Sequence, residues 1–571
     1  MPTATLAPLS RQSTLTRPPA QLALVLHAHL PYVLQPERER ALEENWLHEA
    51  MADCYLPLLA VLAAAEGRGG RLRLTLSLSP TLLTMLADPG LPGRFLDYLE
   101  RRWRLCAAEL RRHADPGRQA LLRWYQGQIE ARHVQYCADL GGDLIAAWVH
   151  LRDAGRVELI TTAATHGFAP LLRDQPGAVR AQLRVGRDAF QAMTGLSPQG
   201  LWLPECGYFP GLEREIAAAG YAYSVLETHG LEQGHPTPAW GVQAPVDGGG
   251  VAFFGRDPLS AAEVWGPTIG YPGHPDYREY YADLGFEAPG GGLADFLPPG
   301  AGPAPTGLKF HRVTGGAGPK ALYDPARAAR RAARDARRFV RRRQAGAAAF
   351  AGHFSASPTF APSSVRPALA RPPLTVAPYD AELFGHWWFE GPLFLAALDR
   401  ELDACPDLEA VTLGQHLERH GCAAACRVAA STWGEAGYNG TWLRPETAWV
   451  HLQLRQAAEE FPHLRRLYGR RPAASPAGRF LRQAARSLLL AQGSDWTFHL
   501  GRGGSDYAER HLRAQLARFA CLADALGRCG DGGEGRDGGG DLTVLETLER
   551  LDALFPELNP DHFAMEQGLS L

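Results

Sequence analysis

"LALVLHAH", residues 22–29, is an apolar run that ends on two histidines one residue apart. A short apolar stretch without polar alternation suits a strand covered on both faces, as strands of parallel sheets are. The same form recurs down the chain in "RLRLTLSLS" (71–79), "VELITTAATH" (157–166), "GLWLPE" (200–205), "YAYSVLETH" (221–229), "VAFFGRD" (251–257) and "LTVAPYDAE" (374–382). Helical patterns lie between the runs. His27, His29, His166, Glu205, His229, Asp257 and Asp380 stand at their ends. Parallel α/β folds collect reactive groups at the C-terminal ends of their strands. The repetition predicts an α/β barrel of roughly seven or eight strands.

Outside the runs the chain divides into recognisable pieces. Residues 1–20 read as a polar, disordered tail without the apolar core of a signal peptide. Residues 21–420 carry the barrel, with a helical insert over about 92–154 whose Arg-rich amphipathic spacing suits a cap on one side. A second insert, 286–345, opens Gly/Pro-rich and ends in "ARAARRAARDARRFVRRRQ"; its Ala/Arg period predicts a solvated helix face. From residue 421 to 571 helical patterns dominate, and that region reads as a helical C-terminal domain completing a cleft. It holds one low-complexity loop, 527–541, expected to be flexible.

At 571 residues the chain is long enough for two or three domains. A composition of 46% hydrophobic and 21% charged residues, with a net charge of −3, gives no reason to expect nucleic acid or an acidic membrane surface as partner. No stretch approaches the about 18 consecutive apolar residues of a membrane span. The nine cysteines show no CxxC spacing, which predicts reduced thiols without a structural zinc and a cytoplasmic protein.

Three clusters carry chemistry. In "HAHLPY" (27–32) the two histidines fall at i and i+2 of a strand end and point the same way, a geometry for a metal or for a polyhydroxylated substrate. Glu205 follows an apolar strand and Pro204, so it is held rigidly and partly desolvated. Asp380 precedes Phe384, His386, Trp387, Trp388 and Phe389. Aromatic rings stack on sugar faces, and two carboxylates among them are what glycosidic-bond chemistry requires. A single acid of either kind reads more plainly as a helix cap or an arginine partner. In "STWGEAGYNGTWL" (431–443) the Gly-spaced rings of Trp433, Tyr438 and Trp442 break any helical core stripe and suit a ligand platform. "GSDWTFHL" (493–500) adds Asp495 and Trp496.

Taken in order, "HAHLPY", "ATHGF" (164–168), "LWLPECGY" (201–208), "PYDAELFGHWW" (378–388) and "TWGEAGYNGTWL" (432–443) resemble the five sequence regions of glycoside hydrolase family 57. "GRDPLSAAEVWGPTIGYPGHPDYREYY" (255–281) and "GSDWTFHL" look like its 1,4-α-glucan branching-enzyme branch. The resemblance implies a distorted (β/α)7 barrel followed by a helical domain and a retaining mechanism. Glu205 matches the nucleophile and Asp380 the general acid/base, although spacing alone does not choose between Asp380 and Glu382. His27, His29 and His166 match histidines near the cleaved sugar. Trp46, Trp433 and Trp442 match cleft aromatics, and Trp265, Asp495 and Trp496 extend the carry-over. The substrate implied is an α-1,4-glucan (amylose, amylopectin or glycogen), with no metal or organic cofactor.

One stretch departs from the branch. Its members carry an aromatic residue, often Tyr, on a mobile loop that shields the covalent intermediate from water. Residues 229–250 here hold no Tyr, and Trp240 is their only such ring. Water access decides between transfer and hydrolysis, so an α-glucan hydrolase or a 4-α-glucanotransferase is the alternative within the same chemistry. A metal-dependent polysaccharide deacetylase would need an adjacent pair of aspartates at a strand end, and none stands there. A glycan-binding protein without catalysis would have no need of Glu205 and Asp380 together.

Overall fold

The structure, a computed structural model, describes residues 19–564 apart from 39, 267, 288–292, 294, 299–300, 316–319, 356–370, 504–505 and 531–537. Most of the expected N-terminal tail and the centre of the 527–541 loop lie outside the described residues, and Ala20 already opens the first strand.

Seven strands run parallel: β1 (Ala20–Ala28), β2 (Leu74–Leu78), β3 (Val157–Thr162), β4 (Gly200–Trp202), β5 (Tyr223–Leu226), β7 (Ala252–Gly255) and β8 (Leu374–Asp380). Two short strands complete the sheet. β6 (Val246–Asp247) lies antiparallel on β7, and β9 (Leu408–Ala410) pairs with the start of β1. The order β7-β5-β4-β3-β2-β1-β8 curls until its ends meet, where the Asp257 N–H donates to the Val376 carbonyl at 2.8 Å. All seven C-terminal ends therefore open on one side, the arrangement expected of the apolar runs.

The strand pleat sorts the residues of β1. Leu22, Leu24 and Leu26 belong to the large core shared with the surrounding helices, whereas Ala23 and Val25 pack inside the barrel with Ile160, Trp202, Tyr223, Phe254 and Val376. A run buried on both faces gains roughly 1.5–3 kcal/mol per large side chain, which is why it shows no polar alternation. His27 continues the inward set. Its register places it beside Ser77 of β2 and Asp380 of β8 at the mouth of the barrel.

The helical run Glu44–Gly67 is long and apolar enough to cross a membrane, but it is mostly buried and packs in the main core. Its middle, Ala50–Tyr55, is wound as a π-helix. The region 92–154 is helical as expected, with helices Leu91–Arg112, Pro116–Val134 and Leu144–Asp153.

The Arg-rich helix spans Pro325–Ser355, buries Ala328, Ala332, Ala336 and Phe339 at helical spacing, and keeps most of its arginines at the surface as expected, with Arg343 buried. Arg343 bonds Glu263 at 2.8 Å, Arg337 pairs with Glu401 at 3.0 Å, Arg331 with Asp335 at 2.6 Å, and Arg327 with Asp276. Acids on neighbouring elements answer the charge, so the helix is part of the scaffold.

Beyond residue 420 the chain does not turn helical at once. An extended strap returns along the barrel, exchanging backbone hydrogen bonds between Arg427 and His235 and between Ser431 and Tyr208. Long helices begin at Ala448–Tyr468 and continue with Pro476–Ala491, Ser494–Gly501 and Asp506–Gly530. The Ser494 N–H donates to the His166 carbonyl at 3.0 Å, which brings this helical region onto the barrel mouth.

Candidate active site

Glu205 sits on a tight turn directly after β4, with φ at +60°. His166 (φ 59°), Cys206 (φ 51°) and Ala436 (φ 56°) are also left-handed. Such backbone costs roughly 1–3 kcal/mol per residue for anything but glycine, and it persists where the surroundings over-determine it. Here the Trp433 N–H holds the Glu205 carbonyl at 3.0 Å, so the strap fixes the turn.

The Glu205 side chain, 15% exposed, receives two donors. Trp433 Nε1–H reaches one carboxylate oxygen at 2.7 Å, and the Ser494 hydroxyl reaches the other at 2.8 Å. Burial raises its pKa, and these two bonds work against that rise. They favour the ionised form.

Behind Ser494 the hydrogen bonds can be directed one at a time. Ser494 gives its proton to Glu205, so it must accept from His166 Nδ1 at 2.8 Å. Burial holds the pKa of His166 and of His27 well below the usual histidine value, so both rings are neutral and each carries one proton. His166 Nε2 is then bare and accepts from His27 Nε2–H at 3.0 Å, and His27 Nδ1 accepts from Ser77 at 3.1 Å. Every proton of the chain Ser77, His27, His166, Ser494 points toward Glu205. His27 and His166 are thus buried props of the carboxylate and present little surface to a sugar.

His29 lies nearer the opening. Its Nε2 meets Asp495 at 3.1 Å, and it holds the Asp495 carboxyl below the usual range although burial opposes this. His29, His166 and Asp495 offer ligand atoms within 4.8 Å of one another. However, the two imidazoles stack at 3.9 Å with planes 18° apart, so their in-plane lone pairs run side by side instead of converging on one point.

Asp380 ends β8, half-buried, and its side chain takes no hydrogen bond among the described residues. Burial, then the charges of Glu382 and Glu205, raise its pKa well above the ordinary carboxylate value. Glu382 is differently placed. One of its oxygens accepts both the Tyr55 hydroxyl at 2.5 Å and the His29 N–H at 3.1 Å, and burial raises its pKa to about 7. Of the two acids that spacing left open, Asp380 is the unengaged one.

Two recessed carboxylates, one whose ionised form is favoured by two donors and one whose surroundings favour the protonated form, make the division that acid-assisted nucleophilic substitution needs. Residues 23–282 match the profile of Glycosyl hydrolase family 57, and residues 453–563 match that of the 1,4-alpha-glucan branching enzyme C-terminal region. A probable 1,4-alpha-glucan branching enzyme of Mycobacterium tuberculosis is 31% identical over 541 residues, covering 89% of this chain and 93% of that one. The chain belongs to glycosyl hydrolase family 57. Within the family, a 1,4-alpha-glucan branching enzyme of Thermococcus kodakarensis is 29% identical, over 94% of this chain and 77% of its own length. Among solved structures, an alpha-amylase from Thermotoga maritima superposes with a TM-score of 0.84 at 31% identity, covering 96% of this chain and 99% of that one. The branching enzyme of Pyrococcus horikoshii follows at 0.82 and 29%, with 97% and 98% covered. Both whole-length likenesses fit the distorted barrel with its helical C-terminal region.

Against that family background the expected site residues divide. Glu205, Asp380, His27, His29, His166, Trp433 and Asp495 form one cluster. Trp46 and Trp265 lie outside it. Trp46 is half-buried against His499 and Tyr507, and Trp265 is 39% exposed beside Trp387 at 5.7 Å.

Three tryptophans expected to bind substrate are instead packed away. Trp240 fills a small cluster against Phe350, at a ring distance of 4.8 Å. Trp442 is 1% exposed, with its ring on Phe168 at 4.3 Å. Trp496 is 2% exposed, stacks on His511 at 4.0 Å and ties its N–H to the Leu490 carbonyl at 2.9 Å. Each gains more from full burial than a rim position offers. Asp257 and His229, strand-end groups by sequence, are also engaged. Asp257 caps the helix Pro258–Trp265, and His229 bonds the Gly437 carbonyl at 2.9 Å.

Sequence reasoning missed Ser494, Ser77 and Tyr55. Only the position of Ser494 next to Asp495 hinted at a role. Each hydrogen bond to a charged group contributes about 1.5–3 kcal/mol, so Trp433→Phe and Ser494→Ala should each lower kcat/KM by roughly 10- to 100-fold. Losing a donor raises the Glu205 pKa, so the acid limb of the pH–rate profile should move to higher pH in both variants. An unmoved limb would remove the hydrogen bonds from the account.

Proposed function

We propose that this chain is a retaining 1,4-α-glucan branching enzyme acting on amylose, amylopectin or glycogen. The observation that carries the reading is the asymmetry of the two acids: Glu205 is bound by two donors that oppose the upward pull of burial, whereas Asp380 has no bonding partner among the described residues and is pushed well above the carboxylate range by burial, Glu382 and Glu205. Asp380, protonated, gives its proton to the leaving 4-oxygen as ionised Glu205 attacks the anomeric carbon and forms a glycosyl ester. Asp380, now ionised, takes the proton of an acceptor 6-hydroxyl, whose oxygen displaces Glu205. Two inversions at the same carbon give net retention. Trp433, His29 and Asp495 border the reacting sugar, and Trp46 and Trp265 lie along the glucan path. No metal enters these steps, and a chelator such as EDTA should leave the rate unchanged.

Glu382 acts on this chemistry through its charge. The form that reacts first has Asp380 protonated, so activity falls as pH rises through the Asp380 pKa. Glu382→Gln removes a charge that raises that pKa, and the alkaline limb of kcat/KM should move to lower pH while the acid limb stays. A shift upward would contradict the placement.

An α-amylase-type hydrolase is the second reading, and one observation favours it. The loop 229–250 contributes no ring other than histidine to the cleft, since Trp240 is buried, and backbone bonds from His235 and Asp247 to the strap hold it down. The exposed ring beside it is Tyr438, from the strap, edge-on to His229 at 5.4 Å.

Incubation with amylose separates the readings. New α-1,6 linkages far exceeding new reducing ends are the expected result, and reducing ends without branches would make the protein a hydrolase. The free thiols, most of them buried, support a reducing, cytoplasmic setting.

A further inference from the structure

A cavity of about 240 Å³ opens between the helix Pro116–Val134 and the helix Gly391–Asp403, and it shares no lining residue with the Glu205 cluster. Trp124, Gln128 and Arg132 line it from a single helix at i, i+4 and i+8, so they share one face over two turns. Leu99, Phe389 and Leu393 form apolar wall.

The polar groups of that stripe are unspent. Neither the Trp124 N–H nor the Gln128 amide has a hydrogen-bond partner among the described residues, and Arg132 bonds only the Gln135 side chain at 3.0 Å. No carboxylate lies within ion-pair distance of Arg132 among those residues. By contrast the other guanidinium at the cavity, Arg102, is paired with Asp53 at 3.1 Å. Burial pushes the Arg132 pKa down, and the more distant charge of Asp53, already paired with Arg102, only partly opposes the fall.

A recessed guanidinium with no acid in direct contact is costly unless an anion completes it. The aromatic wall and the free amide match the apolar face and the hydroxyls of a sugar ring. The volume falls below the roughly 300–1,000 Å³ of sites for larger ligands, which suits one ring. We propose that this cavity is a second ligand site that takes a single hexose-sized ring bearing one anionic group, a hexose phosphate, with the ring against Trp124 and Phe389 and the anion on Arg132.

The π-turn Ala50–Tyr55 is common to this cavity and the catalytic mouth. Ala52 and Asp53 line the cavity, whereas the Cys54 thiol donates to the Ala381 carbonyl at 2.9 Å and Tyr55 to Glu382. Irregular turns of this kind gather at functional sites.

Calorimetric titration of the full chain with glucose 1-phosphate, glucose 6-phosphate, glucose and inorganic phosphate tests the site. At least one hexose phosphate should bind saturably and more tightly than glucose or phosphate alone. Arg132→Gln should weaken it by about tenfold or more and Arg132→Lys by less, since guanidinium and ammonium both answer an anion. Saturating maltotetraose should not displace it. Activity on amylose reports that Arg132→Gln is folded, and Gln128→Leu gives the same comparison should that variant fail. The proposal is overturned by the absence of saturable binding, by an affinity indifferent to Arg132 and Gln128, by displacement with maltotetraose, or by glucose binding as tightly as its phosphates.

Discussion

Glu205→Gln is expected to abolish both cleavage and transfer on amylose, with a fall in rate of about four orders of magnitude or more. Gln matches Glu in size and keeps an oxygen for Trp433 or Ser494, so the barrel mouth remains assembled. An amide cannot form the glycosyl ester, and the first chemical step is lost outright. Removing a recessed charge also removes its desolvation cost, so the melting temperature should stay or rise. Initial rates followed by the iodine complex of amylose, beside a thermal melt, test both halves. A variant that is stable and fully active would leave Glu205 without a chemical role.

Asp380→Asn should lower the rate on amylose by roughly 10²- to 10⁴-fold, the usual contribution of a positioned acid/base. The loss is conditional on the leaving group. A glycosyl fluoride departs without needing a proton, so the first step should survive in this variant while the second, which needs a base, slows. The native alkaline limb should disappear with the group that produces it. If the fluoride and amylose suffer equally, Asp380 is holding substrate and not moving a proton, and Glu382 becomes the acid to test.

Much of the site was legible because it rests on short-range patterns. Seven apolar runs marked the parallel strands, and the residues at their ends marked the open mouth of the barrel. His27 and His29 lie on one side of β1 because a strand repeats every two residues. The contacts that tune Glu205 were not legible. Ser494 stands 289 residues from Glu205 in the chain and meets it only because a helix of the C-terminal region docks on the His166 turn.

The rings divided for a similar reason. Trp433, Trp442 and Trp496 look alike in sequence, each within two residues of a glycine or an acid. Tertiary packing alone turns Trp433 to the carboxylate and the other two into the core. The acid partners of the Arg-rich helix, Glu263, Asp276 and Glu401, were not legible because they lie on other elements. Residues 421–447 belong to the strap for the same cause: their hydrogen bonds run to distant backbone, and no local period announces them.

The central claim is that the glycosyl group rides on Glu205, and it has a direct measurement. Asp380→Asn is mixed with an α-maltosyl fluoride, quenched in acid, digested and analysed by mass spectrometry. The account predicts a maltosyl group on the peptide that contains Glu205, accumulating because the base for the second step is gone. A maltosyl group on Glu382, or continued release of fluoride with no sugar on any carboxylate, would contradict it.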